Sequence, residues 1–219
     1  MPFGRKAGGY RPTCGTGSSD MPWMSAPLQA LLFLGALAGA RPLASQEMAV
    51  PVSVQVPLMV KVLGFDRALV DRPSGRVMVG ILYQGRHRVS ARAADEVREA
   101  LFADESGVGG LPIGVVLIDL DHAGDVGDAL ASAQVNVLYV APLRAVAVSH
   151  LAASTATRGI TTMTGVPRYV EEGLVMGIDL RADRPQIVIN VAAARAAGAR
   201  FSSQLLKLAR LTGEGVAAR

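Results

Sequence analysis

Cysteine is almost missing from this chain. The only one among 219 residues is Cys14, close to the start. No disulfide framework can therefore brace the domain that follows. Aromatic side chains make up 5% of the residues, which leaves no stacking platform for single-stranded nucleic acid. Charged residues are few, at 18%, and half of all residues are hydrophobic. That balance can fill a sizeable core and excludes general disorder. Basic character is also scarcer than the net charge of +4 suggests. Arg5, Lys6, Arg11 and Arg41 stand against Asp20 alone in residues 1–45. Setting those aside leaves 18 of the 22 basic and 17 of the 18 acidic residues, so the remainder is nearly neutral and no nucleic acid is expected as a partner.

The leader holds the longest apolar run. Residues 26–40, APLQALLFLGALAGA, carry no charge. Fifteen residues are too few for a spanning helix, which needs about 20. A short apolar core after a basic segment and before small residues reads as a secretory signal. Cleavage after Ala40 or after Ser45 fits the small-residue pattern, and translation could begin at Met21 or Met24. The alternative is a buried core helix. No cysteine follows the run to carry a lipid, so a soluble exported form is expected.

Residues 46–56 read as a linker, 57–212 as a single α/β domain and 213–219 as a tail. Leu58, Val62, Phe65 and Leu69 recur at helical spacing, with Pro57 placed in the first turn. Apolar strands then alternate with helices. The strands are VMVGILY at 77–83, LPIGVVLIDL at 111–120, VNVLYVAP at 135–142 and GITTMTG at 159–165. Helices are expected over 90–104, capped by Ser90, and over 124–132 and 143–158. Uninterrupted apolar strands separated by helices predict a mostly parallel sheet flanked by helices. GLVMGIDLR and PQIVIN, around ADR at 182–184, read as an antiparallel hairpin at its C-terminal end. Two closing helices follow. Asn190 caps the first, over 191–197, and Gly198 ends it. Ser202 caps the second, with Phe201 and Leu206 as a hydrophobic staple and Phe201, Leu205, Leu208 and Leu211 as its buried stripe. No internal repeat, heptad array or low-complexity tract is present.

No constellation has the spacing of a catalytic set, so neither an enzyme nor a cofactor is expected. Asp119, Asp121, His122 and Asp125 follow the second strand, where open α/β sheets place ligands. They could hold a divalent metal, or form a polar loop with Asp125 at a helix N-terminus. No second cluster at ligand spacing supports the metal. Thr164 and Arg168 follow the fourth strand on the same sheet edge, so Asp119, His122, Thr164 and Arg168 are the candidate ligand edge. His87, in QGRHR, could meet an anion or acidic partner, or belong to a solvated loop. His150 reads as a packing residue. GVGGLPIG, at 107–114, opens a strand and not a helix, so it is no dinucleotide fingerprint. Ser202 and Ser203 have no nucleophile-elbow context.

Three stretches carry a family likeness: VNVLYVAP, ITTMTGVPRYVEEGLVMGIDL and QIVINVAAARAAGARFSSQLLKLAR. Their order resembles the YfiR family of periplasmic proteins over roughly residues 55–211. The resemblance implies a secreted regulatory protein without chemistry of its own. It would bind the periplasmic part of an inner-membrane diguanylate cyclase or sensor kinase and hold it inactive, controlling cyclic di-GMP and biofilm formation. It also implies a homodimer. Arg195 and Arg200, at the corner between the last two helices, are the candidate partner contacts. Two departures stand out. Redox-responsive relatives pair cysteines that this domain lacks, and the family's first helix is aromatic-rich where this one is mostly aliphatic. A small-ligand module resembling half of a solute-binding protein is the main alternative, and a metal-dependent enzyme a further one.

Overall fold

The computed structural model describes residues 48–71 and 75–213. The signal-peptide reading, Cys14 and most of the tail lie outside the described residues. Among the described residues fifteen elements run in the order α1 (Val52–Leu63), α2 (Arg67–Val70), β1 (Val77–Tyr83), α3 (Arg88–Ala103), β2 (Ile113–Asp119), α4 (Val126–Ser132), β3 (Val137–Val140), α5 (Val148–Ala156), β4 (Thr161–Thr164), α6 (Pro167–Glu171), β5 (Met176–Arg181), β6 (Arg184–Asn190), α7 (Val191–Ala196), α8 (Ser203–Leu208) and β7 (Arg210–Thr212). Among the described residues no helix is long and apolar enough to cross a membrane.

The strands form one sheet in the order β2-β1-β3-β4-β5-β6-β7. Neighbours from β2 to β5 are parallel, β5 and β6 are antiparallel, and β7 lies parallel to β6. The mostly parallel sheet with its added hairpin is the architecture expected from the alternation of apolar runs. Alternate side chains serve two cores, because successive residues of a strand point to opposite faces. Val79, Ile81, Val137 and Tyr139 meet α1, α3 and α8 through Met59, Val97, Leu101 and Leu205. Leu82, Leu138 and Val140 meet α4, α5 and α6 through Leu130, Val148 and Tyr169.

Several local expectations change. α1 begins at Val52, so residues 52–56 are helical and Pro57 lies inside the helix. Pro57 is exposed, and its missing N–H falls on the solvent side. Phe65 leaves the expected stripe and is 47% exposed, because α1 stops at Gly64. α3 starts at Arg88 with His87 at its N-cap. Ser90 is buried inside it, and its hydroxyl accepts the Gln84 N–H at 3.0 Å. α5 is shorter than expected, and His150 on it is exposed. α8 ends at Leu208, which is 77% exposed. Leu211 belongs to β7, beside Ile189 of β6.

The two caps of the closing helices form as expected. Asn190 Oδ1 accepts from Ala193 N at 3.0 Å, and Ser202 Oγ accepts from Leu205 N at 3.3 Å.

Candidate functional site

Strand order reverses between β1 and β3, since β1 continues to β2 on one side while β3 leads towards β4 on the other. Doubly wound sheets bind ligands in the crevice at such a switch point. The loops that meet there follow β1, β2 and β3. Each is held by side chains of another.

Gln84 spans the crevice. Its Oε1 accepts the Arg144 N–H at 2.6 Å, and its Nε2 donates to Arg144 O at 3.2 Å. This pair closes a two-bond ring between loops 60 residues apart. His87 Nδ1 lies 3.3 Å from Pro142 O, so it must carry the proton that makes this bond. What remains open is a cavity of about 160 Å3 lined by Gln84, Arg86, His87, Asp121 and Arg144. It lies far below the volume of an ordinary small-ligand pocket. Three of its five lining residues, Arg86, His87 and Arg144, are basic or imidazole side chains, and Asp121 is the one acid among them.

Asp119 ties the β1 and β2 loops together. Its Oδ1 accepts N–H groups from Gly85 at 2.9 Å and Asp121 at 3.0 Å, and its Oδ2 meets His122 Nδ1 at 2.7 Å. Burial pushes the carboxyl upward, but these three donors outweigh it and hold Asp119 below the usual carboxylate range. A Cβ on Gly85 would sit 2.5 Å from Asp119 Oδ2, so a side chain there would displace that carboxylate. Asp121 Oδ2 in turn accepts the Arg86 N–H at 2.7 Å.

The acidic cluster is thus spent on backbone donors. Asp125 is the N-cap of α4, accepting Asp128 N at 2.9 Å. Among the described residues no group of three or more His, Cys, Asp or Glu side chains converges as metal ligands do. Thr164 is fully buried: its hydroxyl donates to Val140 O at 2.9 Å and accepts from Val166 N at 3.1 Å. Arg168 is exposed and pairs with Glu172 along its own helix at 2.7 Å. Strand spacing puts Asp119 and His122 about 14 Å from Thr164, with the Gln84–Arg144 ring between them. One small ligand cannot touch all four. The residues that shape the crevice are Gln84, Arg86 and Arg144, which the sequence alone does not single out. Tyr169 supports them: its hydroxyl accepts from Leu143 N at 2.8 Å and donates to Leu143 O at 3.1 Å, and burial pushes its pKa up.

The corner between α7 and α8 is built differently. Arg195 is exposed at the end of α7. Arg200 is anchored through its main chain, since its N–H donates to buried Asp66 Oδ1 at 2.7 Å. Its guanidinium pairs with Asp71 at 3.1 Å.

The model of the YfiR/HmsC-like family (DUF4154) matches residues 87–210. The chain belongs to this family. Membership supports, at the level of the YfiR/HmsC-like family, a periplasmic regulatory role in cyclic di-GMP signalling. No curated protein matches the chain in sequence. Among solved structures it is similar to a conserved domain protein from Vibrio cholerae O1 biovar El Tor, with TM-score 0.51 and 14% identity over 74% of this chain and 60% of that one. An ABC domain in complex with L-Trp from Streptococcus pneumoniae aligns with TM-score 0.47 and 16% identity, over the same shares. A ligand-free, open substrate-binding protein with adhesive properties from Clostridium difficile aligns with TM-score 0.47 and 15% identity, over 62% of this chain and 54% of that one. The chain spans about three fifths of the length of these structures. At such identity the likeness concerns the fold alone.

Proposed function

We propose that this domain is a non-enzymatic periplasmic regulator that binds the sensor part of an inner-membrane signalling protein, a diguanylate cyclase or sensor kinase, and represses it. The family match over residues 87–210 carries this reading. The narrow crevice agrees with it: Gln84 and Arg144 bridge the switch point, and Asp119 is committed to two main-chain N–H groups and the His122 ring. Repression is a population shift, in which the domain binds the inactive sensor better than the active one and the difference sets the strength of control. An N-terminal signal peptide and a homodimer belong to the same reading. Exposed Arg195 is the more available of the two corner arginines, because Arg200 is already paired with Asp71. The reading is tested by affinity capture from detergent-solubilised inner membranes. Recovery of a membrane cyclase or kinase with a periplasmic domain is expected. Recovery of neither rejects the reading.

The small, largely basic cavity favours one second reading, a small-ligand module using the same sheet edge. A thermal-shift screen with amino acids, vitamins and small anions separates the two. Stabilisation of the domain by one of them supports ligand binding, and an unchanged melting temperature throughout removes it.

A further inference from the structure

The β5–β6 hairpin projects two arginines for which the fold has no use. Arg181 and Arg184 stand directly opposite each other in the ladder, both exposed. Like charges at directly opposed positions destabilise a strand pair. Neither makes an ion pair among the described residues. The two acids of the hairpin do not relieve them. Asp179 pairs with Arg210 at 3.1 Å, and Asp183 at the tip pairs with neither.

An apolar hollow adjoins this charge. Leu58 of α1, Pro185 and Ile187 of β6 and Leu208 of α8 line it together with the two arginines, around a cavity of about 380 Å3. Leu208 is 77% exposed and Leu180, paired across the hairpin with Pro185, is 45% exposed. Two more cations neighbour its lining residues in sequence. Lys61 lies three residues along α1 from Leu58, and Lys207 precedes Leu208; both are exposed. Residues 184–187 pair with β5 on one side, but β7 covers the other edge of β6 only from Val188 onward, so that outer edge of 184–187 has no strand on it among the described residues. An unsatisfied cationic pair, an apolar hollow and an open strand edge therefore share one place.

We infer that this hollow is a docking site for a protein segment that carries carboxylates next to large apolar side chains. The carboxylates meet Arg181 and Arg184, where bidentate guanidinium pairing is strong. The apolar residue enters between Leu58, Ile187 and Leu208. Charge complementarity selects the acidic segment, and the concave apolar floor selects a peptide over a flat anionic surface. This site deepens the regulatory reading and rests on it for the identity of the partner, which would supply the segment.

Arg184→Glu is the informative variant. It turns a repulsive cross-strand pair into an attractive one, so the hairpin gains stability while the pair loses its net positive charge. Leu208→Ser removes the apolar wall at an exposed position, where substitutions leave the fold intact. The probes are a short fluorescein-labelled peptide of Glu and Leu, its Lys and Leu counterpart, and phosphatidylglycerol vesicles, each titrated into the full chain. The Glu/Leu peptide is expected to bind in preference to the Lys/Leu one, and to weaken about tenfold or more in each variant, with the loss of a charge-assisted contact setting that scale. Equal binding of both peptides, or of wild type and variants, overturns the site. Vesicle binding that depends on Arg184 without peptide binding overturns it in favour of a membrane surface. The assay needs no membrane partner, so it can succeed where capture of a sensor fails, and the reverse.

Discussion

Asp66 Oδ1 accepts the backbone N–H of Arg200 at 2.7 Å, across 134 residues of sequence. The same carboxylate caps α2 through Ala68 N at 2.9 Å and takes the Thr161 hydroxyl on its other oxygen at 3.4 Å. One fully buried side chain thereby joins the N-terminal helices, the fourth strand and the last helical corner. Asp66→Ala leaves these donors unsatisfied and is expected to destabilise the domain by about 3 kcal/mol. Urea unfolding measures it, and a loss below about 0.5 kcal/mol contradicts the bridging role.

A second carboxylate gives a pH signature. The folded-state pKa of Asp119 is lowered, so its contribution is present above the unfolded value of about 3.9 and is lost as pH falls through the folded value. Asp119→Asn should lower stability at neutral pH by about 1–2 kcal/mol and flatten the acid limb of the stability curve. Thermal melts from neutral pH down to acid check this. A variant that tracks the wild type at every pH removes the effect.

The hairpin tip is strained independently of its charge. Ala182 and Asp183 both have positive φ, 48° and 59°, as a two-residue type I′ turn requires. Alanine is poorly suited to that region, so Ala182→Gly should stabilise the domain by about 1 kcal/mol. Unchanged or lower stability shows that the turn is held by something other than its dihedral angles.

Arg184→Glu separates stability from binding at the same hairpin. Exchanging the repulsive pair for an attractive one should raise stability by about 0.5 kcal/mol on chemical unfolding. Loss of stability indicates that the arginines already have a structural role, which the fold gives no sign of.

The large features were legible because each rests on local pattern. β1, β2 and β3 are short apolar runs between turns, and β5 and β6 alternate around a tight turn. Asn190 and Ser202 stand one residue before their helices. What escaped depends on contacts distant in sequence. Leu205, Leu208 and Leu211 recur every three residues and read as one helix. Yet Ala209 is extended, with φ −88° and ψ 152°, and Leu211 joins a strand that exists only because β6 offers an edge. Ser90 resembled a cap and instead holds the β1 loop. Thr164 looked available for a ligand, but Val140 and Val166 use both its hydrogen-bonding roles. The Gln84–Arg144 ring joins two residues that no spacing rule connects.

The central claim is that this domain restrains a membrane signalling protein without chemistry of its own. Cyclic di-GMP in cells lacking the chain, compared with cells supplied with it again, tests this most directly. A rise on deletion that is reversed by the wild-type chain is the predicted result. Cyclic di-GMP that does not change on deletion would contradict the account.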